Sequence, residues 1–310
     1  VKRAIFIVGP TAVGKTDLAF KISKNVPSVL ISADSVQVYR GADIISGKDN
    51  SVPTHLLDIL PPTKSFSVHD FVERGHPIIE MAQKQRKIPI IVGGTWFYSD
   101  ALFKKIDTLY IPPDEALRKH LSNLTVKKLQ EKLKNVNSEH FLRMNKSDAN
   151  NKRRLIRAIE VSKYGRMTAR TLKDLNPIFK KNDVLIIGLR TSMRNLKERI
   201  RNRVEKRIET GALWEARKLF KNYKKLSLQL KTANGYKELF DYLLGKTTLE
   251  EARERWVTAD YRHAKNQMTW FKRNKDILWF DPVRNSKERI LKEVLSLIRN
   301  NLNISNGVCF

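Results

Sequence analysis

The sequence predicts an α/β fold, a mostly parallel sheet with helices on both faces, carrying in addition an inserted all-helical domain. Three observations predict it. Short β-branched runs alternate with amphipathic stretches, the rhythm of successive β–α–β units. The first of these runs passes directly into a glycine-rich turn, "VGPTAVGKT", at residues 8–16. The strand rhythm then stops after Pro112–Pro113 and resumes at Val184, with only helical periodicity between.

Taken in order, the strands are expected at Ala4–Val8, Val29–Ser32, His55–Ile59, Ile88–Val92, Val184–Leu189 and Ile277–Phe280. Ser67 with Asp70 spells a capping box opening the helix that runs towards Arg86, and Thr248 with Glu251 opens a long helix reaching about Arg273. Within the interruption, helices are expected at Asp114–Asn123, Val126–Asn135 and Asn151–Tyr164. The resulting division is a discontinuous core, 1–112 with 183–310, and a helical insertion, 113–182. That insertion carries 18 Lys and Arg against 7 Asp and Glu, which predicts a surface for a polyanion.

Charge dominates the composition as a whole. The 310 residues are 41% hydrophobic, enough for one large or two unequal cores, and 60 Lys+Arg against 32 Asp+Glu give +28. In a cell such a field draws nucleic acid before other polyanions. No apolar run approaches the roughly 20 residues that span a bilayer, and the opening residues lead into a strand instead of a signal-peptide layout. Cys309 is the single cysteine, so internal disulfides and a cysteine-based zinc site are excluded, and its position does not fit a prenylation box. A soluble, cytoplasmic protein with no membrane partner is expected.

Four segments carry chemistry. In "GPTAVGKT", Gly9 and Gly14 permit the tight turn that aims backbone N–H groups at a phosphate; Lys15 adds a mobile cation and Thr16 a hydroxyl suited to Mg²⁺. The helix starting at Lys15 adds the positive end of its dipole. This is a P-loop, the turn that elsewhere holds ATP, and it predicts a P-loop NTPase-like sheet; it leaves open whose phosphate is bound. "LISADSVQVYRG" brings Asp34 out at the carboxyl edge of the second strand, where open parallel sheets bind ligands. Asp34 there reads as a Mg²⁺ or hydroxyl partner, as a general base, or as a turn cap with Ser35; Gln37 and Tyr39 offer an amide and a ring suited to a base. In "IIVGGTWFYSDALF", Thr95 is either a hydroxyl facing the same edge or a helix cap. Arginines recur at helical spacing, Arg153 and Arg157 in the insertion, where the pattern reads equally as a solvated basic face, and Arg199 and Arg203 after the fifth strand, where a helix could turn one guanidinium towards the phosphate loop and a diphosphate. Finally "YRHAKNQMTWFKRNK" interleaves Tyr261, Trp270 and Phe271 with basic residues, a pattern that suits RNA, although Met268 and Phe271 at helical spacing read as core.

Together these segments resemble the tRNA dimethylallyltransferase (tRNA isopentenyltransferase) family: "GPTAVGKT", "DSVQVYRGADI", "HLLDI", "VGGTWFY", "RRLIRAIEV", "RIRNRV" and "AKNQMTWFKR" occur in the family's order between Gly9 and Arg273. The lack of the zinc finger that eukaryotic members often add suits the bacterial type. The resemblance implies transfer of a dimethylallyl group from its diphosphate to the N6 amine of the adenosine immediately 3′ of a tRNA anticodon, with Mg²⁺ as cofactor and the anticodon stem-loop as partner. A monomer is expected.

By position, the resemblance implies that Asp34 is the general base and adenine reader, beside an RNA-contact loop of Ser35, Val36 and Gln37. Gly9, Pro10, Thr11, Ala12, Val13, Gly14, Lys15 and Thr16 would hold the diphosphate with Arg203, Thr16 also holding Mg²⁺, and Thr95 would sit near the reacting amine and allyl carbon. Arg118 and the run Arg153, Arg154, Leu155, Ile156 and Arg157 would contact tRNA, joined by Lys265, Gln267 and Arg273. Two segments depart from the family's common wording: "GADIISGK" stands for "GMDIGTAK", and "MNKSDANNK" for "HPNDxR". Three rival readings remain at this stage: a P-loop kinase acting on a small acceptor, an adenylate isopentenyltransferase, and a non-catalytic nucleotide-dependent RNA-binding switch. A kinase accounts for the loop and Asp34 but does not call for a basic helical insertion of about seventy residues.

Overall fold

The protein was analysed as a computed structural model that describes residues 3–103, 106, 108–109, 111–168 and 178–302; Cys309 lies outside them. The chain divides into two compact units, Val1–Phe103 with Ile178–Phe310, and Lys104–Pro177. The seams thus fall earlier than the expected 112/113 and 182/183, because Phe179 belongs to the core unit, where its ring meets Phe6 edge-on at 6.1 Å.

The core unit begins with β1 (Ala4–Val8), α1 (Lys15–Ser23), β2 (Ser28–Ser32), β3 (Thr54–His55), α2 (Val68–Lys84), β4 (Ile88–Val92) and α3 (Trp96–Asp100). The helical unit holds α4 (Glu115–Ser122), α5 (Val126–Val136), α6 (Ser138–Arg143), α7 (Lys146–Ala149) and α8 (Lys152–Thr168). The core resumes with β5 (Val184–Leu189), α9 (Met193–Glu209), α10 (Ala212–Phe220), α11 (Leu228–Thr232), α12 (Tyr236–Leu243), α13 (Leu249–Phe271), β6 (Leu278–Phe280) and α14 (Lys287–Leu302).

The six described strands make one parallel sheet in the order β3-β2-β4-β1-β5-β6. All five residues of β1 are buried, which is why it reads as a continuous apolar run: a central parallel strand is covered on both faces. On one face Ile5, Ile7, Leu30, Ile90 and Ile187 pack with Leu18 and Ile22 of α1 and Ile290, Val294 and Ile298 of α14. Each such side chain contributes roughly 1.5–3 kcal/mol on burial. On the other face Phe6 meets Phe103 edge-on at 5.3 Å.

Both capping boxes form, Ser67 with Asp70 and Thr248 with Glu251. The expected strand at His55–Ile59 shrinks to Thr54–His55, since Leu56 (φ 66°) and Asp58 (φ 55°) turn into the left-handed region and break the extended run. In the helical unit Leu121, Leu129, Leu133, Leu155 and Ile159 form a small core, and Asp114 caps α4 through the Leu117 N–H at 2.9 Å. No described helix is long and apolar enough to cross a membrane.

Candidate active site

Because the sheet is parallel, the segments after β1, β2, β4 and β5 all emerge at its carboxyl edge, where they line a cavity of about 360 Å³. The turn after β1 supplies one wall. Gly9 (φ 140°) runs so close to the end of β5 that a Cβ there would overlap the Leu189 carbonyl oxygen, and Ala12 takes a left-handed φ of 64° at a cost of about 1 kcal/mol. Val13 is buried in the sheet core and anchors the turn from beneath. Lys15 and Thr16 open α1, where N–H groups of the first helical turn have no intrahelical partner and face the cavity.

Lys15 Nζ donates to the Pro10 carbonyl at 2.7 Å. Burial, reinforced by the Arg203 charge and opposed by Asp34, lowers its pKa to about 7. The lysine is therefore easily discharged until an anion arrives beside it.

Asp34, after β2, realises the turn-cap reading and keeps a function open as well. Its Oδ1 accepts the N–H groups of Val36 (2.8 Å) and Gln37 (3.2 Å), which fixes the rotamer, while Oδ2 accepts no hydrogen bond among the described residues. Gln37 is drawn inward: its amide oxygen accepts from Ser32 Oγ at 2.9 Å and its Nε2 donates to the carbonyls of Ser46 and Gly47. Ser35 and Val36 are half-buried beside it. Thr95 occupies the N-cap position of α3, yet its hydroxyl makes no capping bond and lines the cavity instead.

The fourth wall is α9, which presents Arg199, Arg203 and Arg207 at successive i+4 positions. Arg199 Nε donates to the Ala12 carbonyl at 2.9 Å and braces the phosphate loop. Arg203 Nη2 pairs with Asp260 Oδ2 of α13 at 2.7 Å, Asp260 Oδ1 accepting from Asn234 Nδ2 at 3.0 Å; Arg203 Nε is buried without a partner among the described residues. Arg207, Asp260 and Asn234 were not singled out from the sequence. The 199/203/207 spacing could have found Arg207, but the motif "RIRNRV" ends before it.

The residues expected to touch tRNA divide sharply. Gln267 is nearly buried; its Oε1 accepts the Thr11 N–H at 2.9 Å and its Nε2 donates to the Gly94 carbonyl at 2.8 Å. The expectation of an RNA contact is corrected here: the amide staples the phosphate loop to the turn after β4 and has both ends engaged. Lys265 and Arg273 are exposed, Lys265 lying 4.7 Å from the Tyr261 ring and Arg273 4.6 Å from the Trp270 ring.

In the helical unit Arg153 and Arg154 are exposed, Arg154 pairing with Asp148. Leu155 is fully buried in the small core and Ile156 packs against it, so the Leu155 side chain is corrected from an RNA contact to core. Arg118 and Arg157 converge on buried Glu160: Arg118 donates through Nε (2.8 Å) and Nη2 (2.9 Å), and Arg157 through Nη1, with its Nη2 bonded to the carbonyls of Thr108 (2.7 Å) and Ile111 (2.9 Å). Burial works against the Glu160 charge, but the two arginines and the Asp114 N–H together outweigh it and hold the carboxyl below its ordinary range. These two guanidinium groups act first as internal scaffolding.

Among the described residues no cluster of three or more His, Cys, Asp or Glu could hold a metal alone. The cavity nevertheless offers the Thr16 hydroxyl, a hard donor that would suit Mg²⁺ when a diphosphate completes its shell.

Known proteins match this chain over nearly its full length. A family model described as IPP transferase matches residues 37–274, and one described as isopentenyl transferase matches 2–56. A tRNA dimethylallyltransferase of Fervidobacterium nodosum is 36% identical over 308 residues, covering 97% of both chains. The solved tRNA isopentenylpyrophosphate transferase of Bacillus halodurans superposes with a TM-score of 0.72 at 34% identity over 98% of this chain and 97% of that one. A eukaryotic dimethylallyltransferase solved acting on tRNA gives 0.79 at 26% identity, over 97% of this chain and 80% of its own. With the cavity's four walls all lying inside these near full-length matches, the chain belongs to the tRNA dimethylallyltransferase family of prenyltransferases.

Proposed function

We propose that the protein transfers the dimethylallyl group of dimethylallyl diphosphate to the N6 amine of the adenosine immediately 3′ of the anticodon in tRNAs, releasing diphosphate. The observation that carries this reading is the juxtaposition in one cavity of a phosphate loop, Arg203 and an Asp34 whose Oδ2 is uncommitted. Prenyl transfer needs both a stabilised diphosphate leaving group and a proton acceptor for the incoming amine.

The loop N–H groups, Lys15 and Arg203 would bind the diphosphate and stabilise the charge that grows on it as the allylic C–O bond breaks and the bonding electrons move to oxygen. Arg203 lines the cavity beside this loop. Mg²⁺, held at the Thr16 hydroxyl and by the diphosphate oxygens, would supply further charge neutralisation to the leaving group. The adenine nitrogen forms its bond to the allylic carbon while its proton passes to Asp34 Oδ2; Oδ1, pinned by two backbone N–H groups, keeps the carboxylate aimed. Thr95, with its hydroxyl released from capping, is placed to orient the amine. A stacked adenine cannot reach this chemistry, so the base must leave the anticodon stack, at a few kcal/mol that cationic contacts to the RNA backbone offset. A monomeric cytoplasmic enzyme is the form expected to act.

The test incubates purified protein with labelled dimethylallyl diphosphate, Mg²⁺ and unmodified tRNA, then digests the RNA and identifies the nucleoside. N6-isopentenyladenosine at the position 3′ of the anticodon is expected, with AMP and ATP unmodified in parallel reactions; transfer to AMP in preference to tRNA, or phosphoryl transfer from ATP, refutes the reading. Asp34→Ala should lower turnover by roughly 10²–10⁴-fold while tRNA affinity changes little; near-normal turnover would remove Asp34 as the base.

A further inference from the structure

Arg207 differs from every other cation of the cavity in how it is held. Lys15 reaches the Pro10 carbonyl, Arg199 the Ala12 carbonyl and Arg203 the Asp260 carboxylate. The Arg207 guanidinium makes no hydrogen bond or ion pair among the described residues, although it lines the same cavity and is only half-exposed at most. Burial, with the Arg203 charge, lowers its pKa to about 9, against the pull of Asp260, Tyr236 and Asp34.

Gly47 lies against the Arg207 tip. A Cβ on Gly47 would overlap the Arg207 Nη2, and Gly47 takes a φ of +68° that strongly favours glycine. The segment before it cannot easily yield, because the buried Glu215 carboxylate accepts the N–H groups of Asp43 (2.7 Å), Ile44 (2.6 Å) and Ile45 (3.1 Å).

Position along α9 indicates which ligand the guanidinium faces. Arg199 touches the phosphate loop; at 1.5 Å per residue, Arg203 lies about 6 Å and Arg207 about 12 Å further along the axis. At that level the neighbouring backbone is Ser46–Gly47, tied by Gln37 Nε2 to the turn that carries Asp34. Arg207 is thus on the acceptor side of the cavity, away from the loop that grips the donor.

We propose that Arg207 is an acceptor-side phosphate grip, pairing with a backbone phosphate that flanks the adenosine entering the cavity. This rests on the prenyl-transfer reading above. A guanidinium offers a planar fork that matches phosphate oxygens, and a nucleotide drawn from its stack necessarily brings its flanking phosphates with it.

The test compares wild type, Arg207→Met and Arg207→Lys on an anticodon stem-loop RNA, measuring KM for RNA, KM for dimethylallyl diphosphate, inhibition by inorganic diphosphate and thermal melting. Wild-type prenylation is the control on the underlying reading; without it, that reading fails before Arg207 is judged. The expected result for Arg207→Met is a KM for RNA raised roughly tenfold or more, a log–log salt slope shallower by about 0.7–1, an unchanged donor KM, and partial rescue by lysine. The second arm uses unaltered protein, with RNA carrying a neutral methylphosphonate singly at each phosphate flanking the adenosine. One of these substitutions should raise wild-type KM by a similar factor and add nothing to the Arg207→Met defect. A rise in diphosphate inhibition constant without a change in RNA KM would place Arg207 on the donor, and no penalty from either methylphosphonate in wild type would overturn the proposal even if the variants fold poorly.

Discussion

One arginine pair in each unit is held in a contrasting way. In the helical unit, Arg118 and Arg157 both bond one fully buried carboxylate, Arg157 also reaching two backbone carbonyls and Arg118 keeping only its Nη1 outside the cluster. In the core unit, Arg203 has a buried Nε without an acceptor and Arg207 makes no hydrogen bond or ion pair among the described residues, both along a cavity wall. A buried donor without a partner, such as the Arg203 Nε, costs the isolated protein of order 1–3 kcal/mol, whereas the more accessible Arg207 guanidinium is open to a ligand in the cavity. The lesson is that a guanidinium's spare donors, more than its place in a basic motif, separate a binding residue from scaffolding.

The largest expected effect that could break this contrast comes from a matched pair. Arg203→Met should lower prenyl-transfer turnover per folded molecule roughly 10²–10³-fold, as loss of one electrostatic contact to a departing charge does, and should also lower stability because buried Asp260 loses its cation. Arg157→Met should cost stability alone: removing one partner of a buried carboxylate costs about 3 kcal/mol in the helical unit, while turnover per folded molecule is retained. Denaturation curves beside single-turnover rates check both. If Arg157→Met lowers RNA affinity without lowering stability, the scaffolding assignment is wrong.

A smaller change sharpens the same contrast. Glu160→Gln keeps the shape and removes the charge, and should cost about 1–2 kcal/mol at neutral pH. Since the folded carboxyl titrates below its ordinary value of 4.5, its stabilisation is present above that value and lost as pH falls through the folded pKa. The stability gap between wild type and Glu160→Gln, followed by urea unfolding, should therefore narrow below about pH 4.5. A gap that stays constant down to pH 3 would show that the charge does not matter there.

What the sequence revealed follows the same division between local and remote partners. β1, the glycine turn and the start of α1 are adjacent in the chain, so their geometry is written in the order of residues 4–16, and both capping boxes are likewise local pairs. Asp34 was legible as an edge residue, but that two backbone N–H groups claim only one of its oxygens was not. Arg203–Asp260 and Thr11–Gln267 join residues 57 and 256 apart, and no periodicity or motif encodes such pairings. Gln267 lies within a basic-aromatic stretch that reads as an RNA face, yet its position on the buried side of α13 turns it inward. Leu155 shows the complementary error: a motif names consecutive residues, while a helix sends consecutive side chains to different faces.

Lys15 provides the finest test, because it can be moved between the two behaviours by pH alone. Its pKa of about 7, against an ordinary 10.5, means that the free protein carries this charge below pH 7 and loses it above. A bound diphosphate favours the charged form, so binding above pH 7 must draw a proton from solution, and donor affinity should weaken by up to tenfold for each pH unit. Between pH 7.5 and 9.5 a diphosphate monoester is itself essentially fully ionised, so the slope belongs to the protein. Calorimetric titration of dimethylallyl diphosphate in buffers of different ionisation enthalpy should register close to one proton taken up at pH 8.5. Lys15→Arg, charged throughout this window, should flatten the dependence while binding with its own baseline affinity. An affinity independent of pH in the wild-type protein would mean that Lys15 is already charged before the donor arrives, and the burial that sets it apart from a surface lysine would then have no consequence for binding.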